Sequence, residues 1–157
     1  MPYRRSQSGF TLVELLIVVL VIAILASIVI VTYPGVQKRA RDAQRETDIA
    51  ALAVQLETYF NDNGSFPLRA NVNATTLRGV DQGAFIPPGY TSPQIIDAST
   101  TAALGGRAAN SSYGYQTFAL DGVTACTAAS GCPKYRLYWV REDSPNDTAA
   151  LQTKSSL

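Results

Sequence analysis

Hydrophobic and polar positions are spread very unevenly along this chain. From Phe10 to Val31 the residues are apolar apart from Thr11, Glu14 and Ser27. As a helix at 1.5 Å per residue this run spans roughly 33 Å, about the hydrocarbon thickness of a bilayer. Helix is the state that pairs every backbone polar group of a lone span within the span itself. Burial in a soluble core is a poor alternative, because a head of this size rarely encloses a helix that is apolar all round. A secretory signal peptide also fits poorly: the run is too long, and its end (Ala26-Ser27-Ile28-Val29) lacks a small-x-small cleavage pattern.

Tyr33-Pro34-Gly35 interrupts the apolar pattern, and a kink or melted turn is expected at Pro34 and Gly35. Helical signals then resume. Gln37–Asp48 is almost wholly polar, with Lys38–Asp42 and Asp42–Arg45 spaced to pair along a helix. This charged stretch reads equally as a solvated face or as a contact between subunits. From Ile49 the positions Leu52, Ala53, Leu56, Tyr59 and Phe60 form an apolar stripe that must be covered, so docking is expected only over the last three turns. Asn61-Asp62-Asn63-Gly64 ends the helix, with Pro67 just beyond.

Downstream the period changes. Leu68–Ser112 is rich in small and turn-forming residues, with short apolar clusters at Ala84-Phe85-Ile86 and Ile95-Ile96. It reads as a long connection draped over the surface, with a short strand or helical turn. Tyr113–Leu120 and Lys134–Glu142 are aromatic and partly alternating, which predicts an antiparallel strand pair joined by residues 121–133. One face of that pair should cover Ile49, Leu52 and Leu56. After Glu142 a polar, Ser/Thr-rich tail is expected to be solvated. The fold class is therefore α+β: a long N-terminal helix packed on a small antiparallel sheet.

Composition sharpens this in two ways. A chain-wide mean hydropathy near zero conceals a greasy stalk joined to an ordinary polar domain. With no histidine, a Ser-His-Asp triad, a Cys-His dyad and His-based zinc sites are all excluded. No nucleophile–base pair or cofactor motif appears, so an enzyme is not expected. Thirteen basic against 12 acidic residues make no general field for nucleic acid, and Arg69, Arg78 and Arg107 do not cluster in sequence.

Glu14 is costly in a membrane span and needs a partner or a task. It lies five residues after Gly9, in the string Gly9-Phe10-Thr11-Leu12-Val13-Glu14 that leads into the apolar run. This junction resembles that of type IV pilins and pseudopilins. The stretch Arg41-Asp42-Ala43-Gln44-Arg45 through Asn61-Asp62-Asn63-Gly64-Ser65-Phe66-Pro67 is similar to the same family, so the resemblance covers residues 1–67.

The resemblance implies a leader over 1–9, cleaved between Gly9 and Phe10 by a prepilin peptidase, with N-methylation of Phe10. It implies a transmembrane and filament-core helix over 10–33, an amphipathic helix over 34–63, and a globular head over 64–157. Glu14 would set axial register by facing the terminal amine of its own or a neighbouring subunit. Partners implied are other pilins in a homo-oligomeric filament, the membrane and an assembly platform. Cleavage would remove Arg4 and Arg5, taking the basic count from 13 to 11 against 12 acidic residues. The leader would face the cytoplasm, although Lys38, Arg39, Arg41 and Arg45 point the other way on a bare Lys/Arg count.

Outside the cytoplasm Cys126 and Cys132 are expected to form a disulfide, since two thiols without histidine are too few for a metal. Calcium, bound by some pseudopilins through C-terminal loops, makes Asp143 and Asp147 weak candidates against the simpler reading of a solvated tail. The leading expectation is a structural subunit of a type IV pilus or pilus-like filament, serving adhesion, motility or DNA uptake. The alternatives are a pseudopilin of a type II secretion system and a single-pass anchored protein that binds surfaces.

Overall fold

The computed structural model describes residues 9–97, 112–126, 131–142 and 151–156. Arg4 and Arg5 of the expected leader, Arg107, and the calcium candidates Asp143 and Asp147 lie outside the described residues. The chain divides into two units, one up to Gln37 and one over Lys38–Leu157.

The first unit is helical from Leu12, the start of α1 (Leu12–Asn63). Thr11 and Glu14 begin it as a reciprocal cap. The Glu14 N–H donates to Thr11 Oγ1 at 3.2 Å, while the Thr11 N–H donates to Glu14 Oε2 at 3.4 Å. Ser27 and Thr32 return their hydroxyls to carbonyls of the preceding turn (Ser27 Oγ to Ile24 O, 2.7 Å), so neither hydroxyl is left unpaired in the apolar run. Helical structure continues through Tyr33-Pro34-Gly35, so the turn expected to melt does not. Proline there removes one N–H but leaves the rest of the ladder in place.

The second unit packs the C-terminal part of α1 on a sheet. Gly64 terminates the helix at φ +73°, a conformation that carries no side-chain penalty in glycine, and its N–H reaches Phe60 O at 2.7 Å. Among the described residues four strands follow: β1 (Ile95–Ile96), β2 (Tyr113–Phe118), β3 (Lys134–Val140) and β4 (Leu151–Ser155). They lie in the order β1-β2-β3-β4. β2 and β3 pair antiparallel as expected, with Tyr115 opposite Leu137 and Thr117 opposite Tyr135. β1 joins β2 in parallel, so the sheet is mixed rather than wholly antiparallel.

The tail departs from the solvated extension expected after Glu142. Leu151–Ser155 is not a solvated extension but a fourth strand, antiparallel to β3. Its side chains at Thr153, Lys154 and Ser155 are exposed, so no hydrophobic alternation marked it. Backbone hydrogen bonding to β3 makes it a strand.

The core forms where the alternating face of β2 and β3 meets the helix. Ile49, Leu52 and Leu56 are buried together with Tyr113, Tyr115, Tyr135 and Leu137. Fully burying each large aliphatic side chain contributes roughly 1.5–3 kcal/mol. Phe66 stacks on Phe60 and meets Tyr135 edge-on, both at 4.6 Å between ring centroids. The connection after the helix is less superficial than expected: Val72, Leu77, Val80, Ala84 and Phe85 all enter this core. Isolated apolar residues in an irregular segment have no periodicity, yet each finds the same cluster.

Candidate functional site

Two regions concentrate the polar chemistry, one in each unit. At the first, Gly9 and Phe10 precede α1, and Phe10 is 83% exposed. Every large aliphatic from Leu12 to Val31 is exposed as well, an arrangement that water does not favour and lipid or neighbouring helices do. Among the described residues, α1 is the one helix long and apolar enough to cross a membrane. Glu14 is the single carboxylate in this apolar length, and its oxygen is held by the Thr11 amide and, at 3.5 Å, by the Thr11 hydroxyl. Sequence reading picked out Glu14 and passed over Thr11, although the Thr-x-x-Glu spacing is itself a capping signal.

In the second unit the charged stretch of α1 turns inward. Arg45 is buried, with a side-chain exposure of 1%. Its Nη1 meets Asp42 Oδ1 at 2.8 Å and its Nη2 meets Glu142 Oε1 at 2.5 Å. Arg41 grips the same Glu142 through Nε at 2.9 Å and Nη2 at 2.6 Å. Asp42 also accepts the Glu142 backbone N–H, at 3.0 Å. Two guanidinium and two carboxylate groups thus close a neutral cluster between α1 and the residues just after β3. Hydrogen bonds from Arg41 lead in holding the Glu142 carboxyl down to about 2; burial opposes them, and Arg45 reinforces them.

This changes the reading of Gln37–Asp48. Asp42 and Arg45 are buried and Arg41 is half-buried against Glu142, so docking begins two turns before Ile49, while Lys38, Arg39, Gln44 and Glu46 stay exposed. The i,i+3 pair Asp42–Arg45 forms, whereas Lys38 makes no ion pair among the described residues. Asp42 accepts instead from Arg45 and from the Glu142 backbone N–H.

One turn further on, Tyr113 donates its hydroxyl to Asp48 Oδ2 at 2.8 Å. Burial raises the Asp48 carboxyl above its usual range, and the tyrosine hydrogen bond partly opposes that shift. Cys126 and Cys132 are joined as a disulfide in the β2–β3 connection. The carbonyl of Cys132 receives the Phe66 N–H at 2.9 Å, tying the loop to the helix–sheet junction. Among the described residues no group of three or more Cys, Asp or Glu is placed to hold a metal. Of the three arginines considered for nucleic acid, Arg69 is committed in part to the Ile95 carbonyl. Arg78 makes no hydrogen bond or ion pair among the described residues.

Comparison with known proteins bears on the first region. Residues 4–30 match the family model described as the prokaryotic N-terminal methylation motif. The chain is similar to "Type II secretion system core protein G" of Aeromonas hydrophila, with 37% identity over 78 residues, 50% of either chain. Its likeness to the protein of that name from Dickeya chrysanthemi is 34% over 91 residues, covering 58% of this chain and 54% of the other. For that of Pseudomonas aeruginosa it is 33% over 91 residues, 58% and 59% respectively. The chain thus spans between half and three-fifths of the length of these relatives. No solved structure matches it.

Proposed function

We propose that the chain is a member of the type IV pilin-like family and, within it, a pseudopilin, a structural and non-enzymatic subunit of a type II secretion filament. The observation that carries this is the extent of the likeness. Matches to proteins named as secretion core protein G run over 64 to 91 residues, about two to three times the length of the methylation motif alone. The motif is shared by pilus and secretion subunits. The longer matches favour the secretion branch over the pilus subunit that the sequence first suggests.

On this reading a prepilin peptidase cuts between Gly9 and Phe10, and Phe10 is N-methylated. The subunit waits in the cytoplasmic membrane with its leader inside, and an assembly platform draws it into a filament with other pilin-like subunits. The apolar length of α1 serves first as anchor and then as filament core. Glu14 exchanges its Thr11 contacts for the charged amine of a neighbour, which offsets two charges otherwise costly in hydrocarbon. Pro34 and Gly35, where the helical ladder lacks one hydrogen bond, supply the point at which the helix bends during extraction.

Deleting the gene in its native host tests this directly. Secreted enzymes should accumulate behind the outer membrane while long surface fibres persist. Lost fibres with normal secretion would return the protein to the pilus branch. Mass spectrometry of the mature chain should find N-methylated Phe10 at its start; an intact Met1 would remove it from processing altogether.

A further inference from the structure

The connection between α1 and β2 contains a cleft of about 320 Å³ that the filament reading does not use. Its floor is apolar, made by Val72, Phe85 and Ile95, with Phe85 and Val72 buried. Its rim is polar and exposed, carrying Arg69, Asn73 and Gln82. The volume lies at the lower end of the range for ligand sites, roughly 300–1,000 Å³.

Hydrogen bonding orients the rim. Asn73 Oδ1 accepts from the backbone N–H groups of Thr75 and Thr76, each at 3.0 Å, and from the Thr76 hydroxyl at 3.2 Å. Its carbonyl oxygen is therefore occupied, and its NH₂ group is the polar function left for a ligand. Arg69 places Nε and Nη2 on the Ile95 carbonyl at 3.2 and 3.0 Å, which fixes the guanidinium plane and leaves Nη1 uncommitted. Among the described residues Arg69 makes no ion pair. It is also the one charged residue lining the cleft.

We infer that this cleft is a recognition site for a peptide segment of a partner protein, one that places a side-chain carboxylate next to an aromatic or large aliphatic group. The carboxylate accepts from Arg69 Nη1 and the Asn73 amide; the apolar group lies on Phe85 and Ile95. Charge complementarity and an excess of oriented donors set the sign of the ligand. The exposed rim favours a side-chain pair presented on a larger surface over an engulfed small molecule. Addition of a strand at β1 is a different mode, and Arg69 opposes it by occupying the Ile95 carbonyl.

The test is an NMR titration of the full chain in detergent micelles with acetyl-Phe-Glu-amide, its neutral counterpart acetyl-Phe-Gln-amide, and inorganic phosphate. The acidic peptide should shift the Asn73 side-chain amide and the Phe85 signals with a dissociation constant on the order of 1 mM. The neutral peptide and phosphate should each bind at least about tenfold more weakly, the loss expected for a charge-assisted contact or an apolar contact removed. Arg69→Gln should weaken the acidic peptide about tenfold while leaving the spectrum of the core unchanged. Asn73→Asp preserves the acceptor that holds the Thr75–Thr76 turn but sets an anion against the ligand, and should weaken it at least as much. Equal binding of the two peptides, phosphate binding as tight as the acidic peptide, or wild-type affinity in both variants overturns the inference.

Discussion

Arg45 and Glu142 meet at 2.5 Å across 97 positions of sequence, with the guanidinium almost wholly removed from water. Together with Arg41 and Asp42 they join the charged turns of α1 to the end of β3. Removing one partner from a buried cluster strands the opposite charge, at a cost of about 3–5 kcal/mol. Arg45→Ala should destabilise the second unit by that order. Trp139, the one tryptophan of the chain and packed against the core, reports the unfolding by fluorescence. An unchanged unfolding midpoint would show the cluster to be energetically idle.

The same cluster predicts an acid limit. Glu142 is held at about 2 when folded, against roughly 4.3 for an unperturbed glutamate. Its folded value is depressed, so its stabilisation is full above the unfolded value and is lost as pH falls from about 4.5 towards 2. Asp48 works in the opposite sense: its raised carboxyl favours the fold on protonation. Glu142→Gln should flatten the acid loss of stability, and Asp48→Asn should steepen it. Chemical unfolding measured between pH 2 and 7 distinguishes these slopes.

Tyr115 is fully buried and donates its hydroxyl to the Pro67 carbonyl at 2.7 Å. Tyr115→Phe keeps the ring packing and orphans a buried carbonyl. The expected loss is about 1–3 kcal/mol, read as a lower thermal midpoint. A neutral result would mean that the Pro67 carbonyl finds water.

Reducing the Cys126–Cys132 disulfide should cost about 2 kcal/mol on the chain-entropy model, because the closed loop is short. Since Phe66 hangs from the Cys132 carbonyl, the loss should be accompanied by faster amide exchange at Phe66. Hydrogen exchange with and without reductant checks both effects. Unaltered protection at Phe66 would separate the loop from the core.

Glu14→Ala should leave processing between Gly9 and Phe10 largely intact and stop incorporation into filaments. Mass spectrometry of the N-terminus and sheared-filament fractionation read the two effects separately. Normal filaments would remove the proposed registry role. Thr11→Ala isolates the cap: it should weaken the start of α1 by about 1 kcal/mol without deleting the carboxylate.

The parts legible in sequence are those with a short-range period or a short-range motif. The apolar run from Phe10 to Val31, the stripe from Ile49 to Phe60 and the stop at Gly64 each follow from neighbours three or four residues apart. The alternation of Tyr113, Tyr115, Tyr135 and Leu137 likewise predicts two strands and the face that covers the helix. Even Thr11 was readable, from its spacing to Glu14.

What only the tertiary structure decided depends on residues far apart. Arg41, Asp42 and Arg45 look like any solvated helix face until Glu142, about a hundred positions away, supplies a carboxylate and a backbone N–H to the same spot. β4 carries no apolar alternation, since Lys154 and its neighbours face water, and exists as a strand through backbone bonds to β3. Val72, Leu77 and Phe85 have no period at all, and their burial follows from the path of the chain. By itself the sequence determined the membrane-length helix, the N-terminal methylation motif and the face of the sheet, because those are local. Charge pairing and edge-strand addition are decided by proximity in space, which local pattern does not encode.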